Sequence, residues 1–146
     1  MERVSKHIVD WLNSYCEGSA LNGFIVGVSG GIDSAVTSIL CAKTEKRVIL
    51  LNMPIRQNET EYSLAQKHID NIKNRYSNVE SNEINLTKVF ESFEGKMPFS
   101  IENNQLSMAN SRARLRMMTL YAVGQSYGLL VAGTGNKIED FGIGFY

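Results

Sequence analysis

The sequence has few of the residues that build metal centres or disulfide frameworks. It contains 2 cysteines and 2 histidines among its 146 residues. Cys16 and Cys41 fall far apart in apolar helical patterns, so we expect them to be reduced, buried packing residues and not a disulfide or metal pair. His7 and His68 are isolated, and neither has the spaced partners that a zinc site needs.

Net charge and long hydrophobic runs are lacking as well. Lysine plus arginine and aspartate plus glutamate number 15 each, which gives a formal net charge of zero. Bulk electrostatics therefore gives no reason to expect a nucleic acid or an anionic membrane as a partner. No membrane span or secretory signal is visible, and a hydrophobic content of 43% is enough for one modest core. We expect a single domain over residues 1–146, located in the cytosol.

The fold is predicted from an alternation of helical and strand patterns. Helices are expected at 4–15, 34–43, 58–76 with Asn58 as N-cap, a short segment after a Thr87 cap, and 106–127; strands are expected at 24–28, 47–53, 83–86 and 129–132. Residues 77–82 and 95–104 look like a turn and a loop. Strands separated by helices indicate an α/β fold, with a parallel sheet, helices on both faces and ligands at the carboxyl ends of the strands.

A glycine-rich segment follows the first predicted strand. Residues 29–34 read Ser-Gly-Gly-Ile-Asp-Ser and lead into an apolar helix. Paired glycines permit a sharp turn whose N–H groups, with the hydroxyls of Ser29 and Ser34, can converge on a polyphosphate at the helix N-terminus. Asp33 suits a divalent cation between the protein and the phosphates. The lysine of a Walker loop is missing. The alternative is a simple glycine turn capped by Asp33 or Ser34.

Two other strand ends should meet this segment. Residues 52–56 end the second strand, and residues 133–140, Gly-Thr-Gly-Asn-Lys-Ile-Glu-Asp, follow the last one. Thr134 suits close approach to a nucleotide, and Glu139 can complete a magnesium site with Asp33. The alternative is an ordinary turn followed by a solvated first helical turn.

Three arginines stand in the long predicted helix. Arg112, Arg114 and Arg116 are two positions apart, so they fan around the helix and do not form one solvated stripe. Arginine suits bidentate contact with phosphate or carboxylate, but surface helices also carry arginine, and the pattern does not decide between these roles.

Together these segments resemble a known family. Ser-Gly-Gly-x-Asp-Ser after an apolar strand is the pyrophosphate loop of the N-type ATP pyrophosphatases, whose fold is of the adenine-nucleotide α-hydrolase-like (Rossmann-like) type. With residues 110–117, Asn-Ser-Arg-Ala-Arg-Leu-Arg-Met, and then residues 131–140, the chain resembles the ammonia-dependent NAD synthetases. The resemblance implies Arg114 as a contact of deamido-NAD, Asp33 and Glu139 as Mg²⁺ ligands, and ATP contacts from Gly27, Val28, Ser29, Gly30, Gly31, Ile32, Asp33, Ser34 and Thr134.

The resemblance also implies an activity. NAD synthetases use ATP, Mg²⁺ and ammonia to amidate deamido-NAD through an acyl-adenylate, release AMP and pyrophosphate, and act as homodimers. The family continues after the segment that matches residues 142–146 into a Thr-Lys-Tyr-Gly-Asp-Gly stretch that holds deamido-NAD. The chain thus resembles the amino-terminal half, or somewhat more, of a synthetase, and we expect it to form no NAD alone. Another ATP pyrophosphatase such as a GMP synthetase, a noncatalytic nucleotide-binding module and a plain packing domain stay open as alternatives.

Overall fold

Four parallel strands form the centre of the structure, a computed structural model that describes residues 1–138. The elements are α1 (Glu2–Gly18), β1 (Gly23–Val28), α2 (Ile32–Ala42), β2 (Arg47–Asn52), α3 (Glu59–Arg75), β3 (Val79–Glu83), α4 (Thr87–Glu94), a 3₁₀ turn (Glu102–Asn104), α5 (Gln105–Tyr127) and β4 (Leu130–Val131). No helix in this part of the chain is long and apolar enough to cross a membrane.

The strand order is β3-β2-β1-β4, and every pairing is parallel. The chain first builds outward from β1 through β2 to β3, and then returns past β1 to place β4 on its other side. The order therefore reverses between β1 and β4. In open parallel sheets a ligand crevice forms at such a reversal, beyond the carboxyl ends of the strands.

Helices cover both faces of the sheet. Alternate residues of β1 point to opposite sides, so Phe24 and Val26 pack under α1, α2 and α3, whereas Ile25 packs under α4 and α5. Burial on both faces explains why β1 and β2 are nearly continuous apolar runs. The predicted α/β fold is confirmed.

Two helix ends follow the sequence rules. The Asn58 side chain accepts a hydrogen bond of 2.8 Å from the Glu61 N–H and caps α3 as expected. Gly128 ends α5 in the left-handed conformation, with φ of +65°.

The third strand and the cap of α4 differ from the sequence prediction. β3 spans Val79–Glu83 and includes most of the segment that was expected to be a turn. It is an edge strand in which only Val79 is buried, so its polar composition hides it from apolar pattern analysis. Thr87 does not cap α4, because Leu86 holds that position and the Thr87 hydroxyl accepts a hydrogen bond from the Arg56 N–H instead.

Candidate functional site

An open cleft of about 990 Å³ lies beyond the carboxyl ends of β1, β2 and β4. Residues 27–31 form one side, and Met53, residues 55–58 and Glu61 form another. Residues 131–134 follow β4, and one face of α5 lines the remaining side. We call it the strand-end cleft. The expected meeting of three strand ends is therefore present in the structure.

Gly30 sets the shape of the glycine loop. Its φ is +86°, and a Cβ added there would lie 2.8 Å from the backbone carbonyl oxygen of Glu61 on α3. Both the conformation and the close approach require glycine at this position. Gly31 is different, because its φ of −82° is open to any residue. Only one of the paired glycines is therefore needed for its conformational freedom.

Hydrogen bonds hold the loop in shape. The Ser34 hydroxyl donates to the Gly31 carbonyl oxygen at 3.0 Å, and the Ser29 hydroxyl accepts from the Gly31 N–H at 3.2 Å. The amide of Gln57 donates to the Ser29 carbonyl oxygen at 3.0 Å and ties the loop to the segment after β2. Ser34 was expected to offer its hydroxyl to a ligand, but in this structure it is 3% exposed and bonds inside the loop.

The N-terminus of α2 carries no side-chain cap. Gly31 is its N-cap residue, and Asp33 and Ser34 already lie within the first turn. The alternative of a turn capped by one of these two side chains is therefore wrong. The first N–H groups of a helix have no partner within the helix, and here they stand at its positive end beside the loop.

The predicted site residues do not all reach the cleft. Its lining contains Gly27, Val28, Ser29, Gly30, Gly31 and Thr134. Ile32 is 74% exposed on the outside of α2. The Asp33 carboxylate accepts a hydrogen bond of 3.3 Å from the Asn136 amide, which joins the loop after β1 to the segment after β4. Glu139 lies outside the described residues.

The arginines of α5 point in different directions, as their spacing predicts. Arg112 and Arg116 are one turn apart and line the strand-end cleft together with Leu120. Arg114 is rotated about 200° from each of them and is exposed on another side of the helix. The structure thus brings Arg112 and Arg116, and not Arg114, to the glycine loop.

The charged groups of the cleft are unevenly compensated. Arg56 is paired with Glu91 at 3.3 Å and with Glu94 at 2.6 Å. Arg116 donates a hydrogen bond from Nε to the Met53 carbonyl oxygen at 2.9 Å. Burial and the nearby charge of Arg112 lower the pKa of Arg116, and the charge of Glu61 partly opposes this shift.

Gln57 and Glu61 line the cleft but were not predicted from the sequence. The polar stretch after Pro54 is the signal that points to them.

Comparison with known proteins identifies the family. The model of the NAD synthase family matches residues 4–146. The chain belongs to this family. A relative from Saccharolobus solfataricus, an NH(3)-dependent NAD(+) synthetase, is 36% identical over 141 residues, which are 94% of this chain and 48% of that protein. The chain spans about half the length of the curated relatives it matches.

Solved structures agree with the family assignment. NMN synthetase from Francisella tularensis superposes with a TM-score of 0.87 at 33% identity, over 99% of this chain and 58% of that one. NH3-dependent NAD synthetase from Campylobacter jejuni superposes with a TM-score of 0.83 at 28% identity, over 94% of this chain and 58% of that one. The family fold is therefore the fold of this chain.

Asp33 fits the way in which NAD synthases are expected to hold Mg²⁺. Among residues 1–138 no group of three or more His, Cys, Asp or Glu side chains is placed to form a metal cage. Mg²⁺ does not need such a cage, because it is usually held by one or two carboxylates and takes its other ligands from substrate phosphates and water. Asp33 lies in the first turn of α2, next to the loop, so the position of its carboxylate is compatible with such a site.

Proposed function

We propose that this chain forms the ATP-binding half of an ammonia-dependent NAD synthetase. The observation that carries the proposal is the glycine loop, set by Gly30 at the reversal of the strand order, in a chain of the NAD synthase family. A cleft of about 990 Å³ has the size of a nucleotide site. The proposal also keeps the cytosolic location expected from the sequence.

The first step of the proposed reaction activates a carboxylate. An oxygen of the nicotinate carboxylate of deamido-NAD attacks the α-phosphorus of ATP, the bond from that phosphorus to the bridging oxygen breaks, and pyrophosphate leaves with the electron pair. The product is an acyl-adenylate. The Gly30 N–H and the first N–H groups of α2 would donate to the phosphates and stabilise the charge of the departing pyrophosphate, whereas the N–H groups of Ser29 and Gly31 bond to hydroxyls inside the loop. Asp33 and Glu139 would hold Mg²⁺, and the bound ion would supply further neutralisation of phosphate charge.

The second step forms the amide. Ammonia attacks the activated carbonyl carbon, the bond from carbon to the phosphate oxygen breaks, AMP leaves, and the nitrogen loses a proton to solvent. No serine or cysteine nucleophile is needed, since AMP is already a good leaving group. What the protein contributes is the position of both nucleotides, which removes much of the entropic barrier.

A homodimer is part of the proposal. Arg114 is exposed on α5, as are Met118 and Tyr121. Trp11 and Tyr15 of α1 stack with ring centroids 5.3 Å apart and line a second groove together with Tyr121. This exposed aromatic surface suits a second subunit, and Arg114 would bind deamido-NAD close to it. Sedimentation of a version of the chain extended to the full length of its relatives should show a dimer, and a monomer at all concentrations would contradict this part of the proposal.

NMN synthesis is the second candidate function. The observation in its favour is the TM-score of 0.87 with the Francisella tularensis NMN synthetase. The chemistry would be the same, with a mononucleotide that carries the nicotinate carboxylate in place of the dinucleotide. In this proposal the described cleft would hold ATP, and either carboxylate would react with ATP there. Comparing kcat/KM for the two substrates decides between them.

The test measures binding and turnover separately. The 146-residue chain should bind ATP in the presence of Mg²⁺ in a calorimetric titration, and should form no NAD from ATP, deamido-NAD and ammonium. A version of the chain extended to the full length of its relatives should form NAD, AMP and pyrophosphate in equal amounts. Binding of ATP without turnover by the extended version would support a noncatalytic module, and turnover of xanthosine monophosphate by it would support a GMP synthetase.

A further inference from the structure

Arg116 is the cationic side chain of the strand-end cleft that is best placed to bind an anionic ligand. It is half-buried, lines the cleft from α5, and is anchored by its Nε on the Met53 carbonyl oxygen at 2.9 Å. Because the anchor uses only Nε, the terminal nitrogens of the guanidinium keep their donors for other partners. No ion pair of Arg116 within 4.0 Å is found in the described part of the chain.

The neighbours of Arg116 add positive charge to the cleft. Arg112 lies one turn earlier on the same face of α5, with its guanidinium 5.6 Å from the centre of the Phe90 ring. Like charges one turn apart on a helix destabilise it slightly, so this pair has an energetic cost in the free protein. Arg56 is neutralised by Glu91 and Glu94. Among the described residues that line the cleft, the remaining charged side chains are those of Arg112, Arg116 and Glu61.

The part of α5 that carries Arg116 is held against the sheet by packing as well as by the hydrogen bond of Arg116. Leu120, one turn further along α5, would lie 3.2 Å from a Cβ placed on Gly27, and the Met53 methyl group would lie at 3.3 Å. Gly27 of β1 therefore lets α5 and Met53 approach the floor of the cleft. The guanidinium is held at the end of β2 and shares the cleft with the glycine loop.

We propose that Arg116 binds the phosphate groups of the nucleotide in the strand-end cleft, from the wall opposite the glycine loop. The inference deepens the proposed function and rests on it. A planar guanidinium with free terminal donors matches two phosphate oxygens at once. ATP would then be held between the Gly30 N–H and the first N–H groups of α2 on one side and Arg116 on the other. Arg114, on a different face of α5, takes no part in this contact.

Binding titrations of ATP and adenosine test the inference. Arg116→Gln should weaken ATP binding roughly ten- to hundredfold in EDTA as well as with Mg²⁺, because a charge-assisted hydrogen-bonded pair is lost. Its affinity for adenosine, read from the shifts of the adenosine proton signals in NMR titrations, should change less than about twofold. Arg114→Gln is the matched control on the same helix and should leave ATP affinity unchanged.

A conservative variant separates binding from structural support. Arg116→Lys keeps the charge but loses the planar fork, so its ATP affinity should fall between wild type and Arg116→Gln, with adenosine binding retained. It also answers the question if Arg116→Gln does not fold. Equal losses for ATP and adenosine, or an unchanged ATP affinity in Arg116→Lys and Arg116→Gln, would overturn the inference while leaving the proposed function intact. A wild-type chain that binds no ATP would overturn both.

Discussion

Replacing Gly30 with alanine should destabilise the fold through a local clash. Alanine at a φ of +86° costs about 1–2 kcal/mol relative to glycine. The new Cβ would also lie 2.8 Å from the Glu61 carbonyl oxygen, and backbone that has to move in a packed region adds about 1–3 kcal/mol. We expect the free energy of unfolding to fall by about 3 kcal/mol.

Urea denaturation followed by far-ultraviolet circular dichroism measures this loss. With an m-value of about 2 kcal/mol/M, the midpoint should fall by about 1.5 M in Gly30→Ala. Gly31→Ala is the matched control, because its φ of −82° is ordinary and its nearest neighbour, 3.3 Å away, is a movable serine hydroxyl. The control should lose no more than about 1 kcal/mol. Equal midpoints for the two variants would refute the reasoning.

Further substitutions test the metal ligand, a buried histidine and the cysteines. In calorimetric titrations, Asp33→Asn should weaken ATP binding about tenfold or more with Mg²⁺ and leave ATP binding unchanged in EDTA. Asp70→Asn, on the exposed side of α3, is the control and should leave ATP binding unchanged in both conditions. Burial lowers the pKa of His68, whose Nε2 lies 2.8 Å from the Ser38 hydroxyl, so the folded state resists protonation. The contribution of neutral His68 to the free energy of unfolding should be complete above pH 6.5 and decrease as the pH falls below that value. His68→Gln should therefore flatten the pH dependence of the urea midpoint. Burial raises the pKa of the Cys41 thiol to about 12, so iodoacetamide at pH 8 should leave Cys41 unmodified in the native protein and alkylate it in urea, as mass spectrometry would show.

The parts of the fold that the sequence predicts well depend on short-range patterns. β1 and β2 are found within one residue of their expected limits, because strands buried on both faces are written as apolar runs bounded by polar residues. Asn58 and Gly128 mark helix ends for reasons that lie in their own side chains and backbones. β3 is predicted four residues too late, because its pairing with β2 is made by backbone groups and its side chains carry little apolar signal.

The side-chain geometry of the site depends on long-range packing. Convergence of the three strand ends follows from the parallel sheet alone. The contacts of Gln57 with Ser29 and of Arg116 with Met53 join residues 28 and 63 positions apart, respectively. Helical spacing shows that the arginines of α5 face different sides, but only the docking of the helix on the sheet decides which of them enters the cleft.

The two sides of the strand-end cleft differ in how firmly they are attached to the sheet. β1 pairs with β2 over six residues, whereas it pairs with β4 over only Phe24↔Leu130 and Ile25↔Val131. The wall that carries Thr134 therefore belongs to the part of the sheet with the least backbone protection, and its amide hydrogens should exchange with solvent before those of β1 and β2. A nucleotide that bridges both walls would slow this exchange. Ordering the β4 side would then oppose binding and lower the measured affinity for the nucleotide. That affinity would depend on the local stability of this sheet edge as well as on the contacts with the ligand.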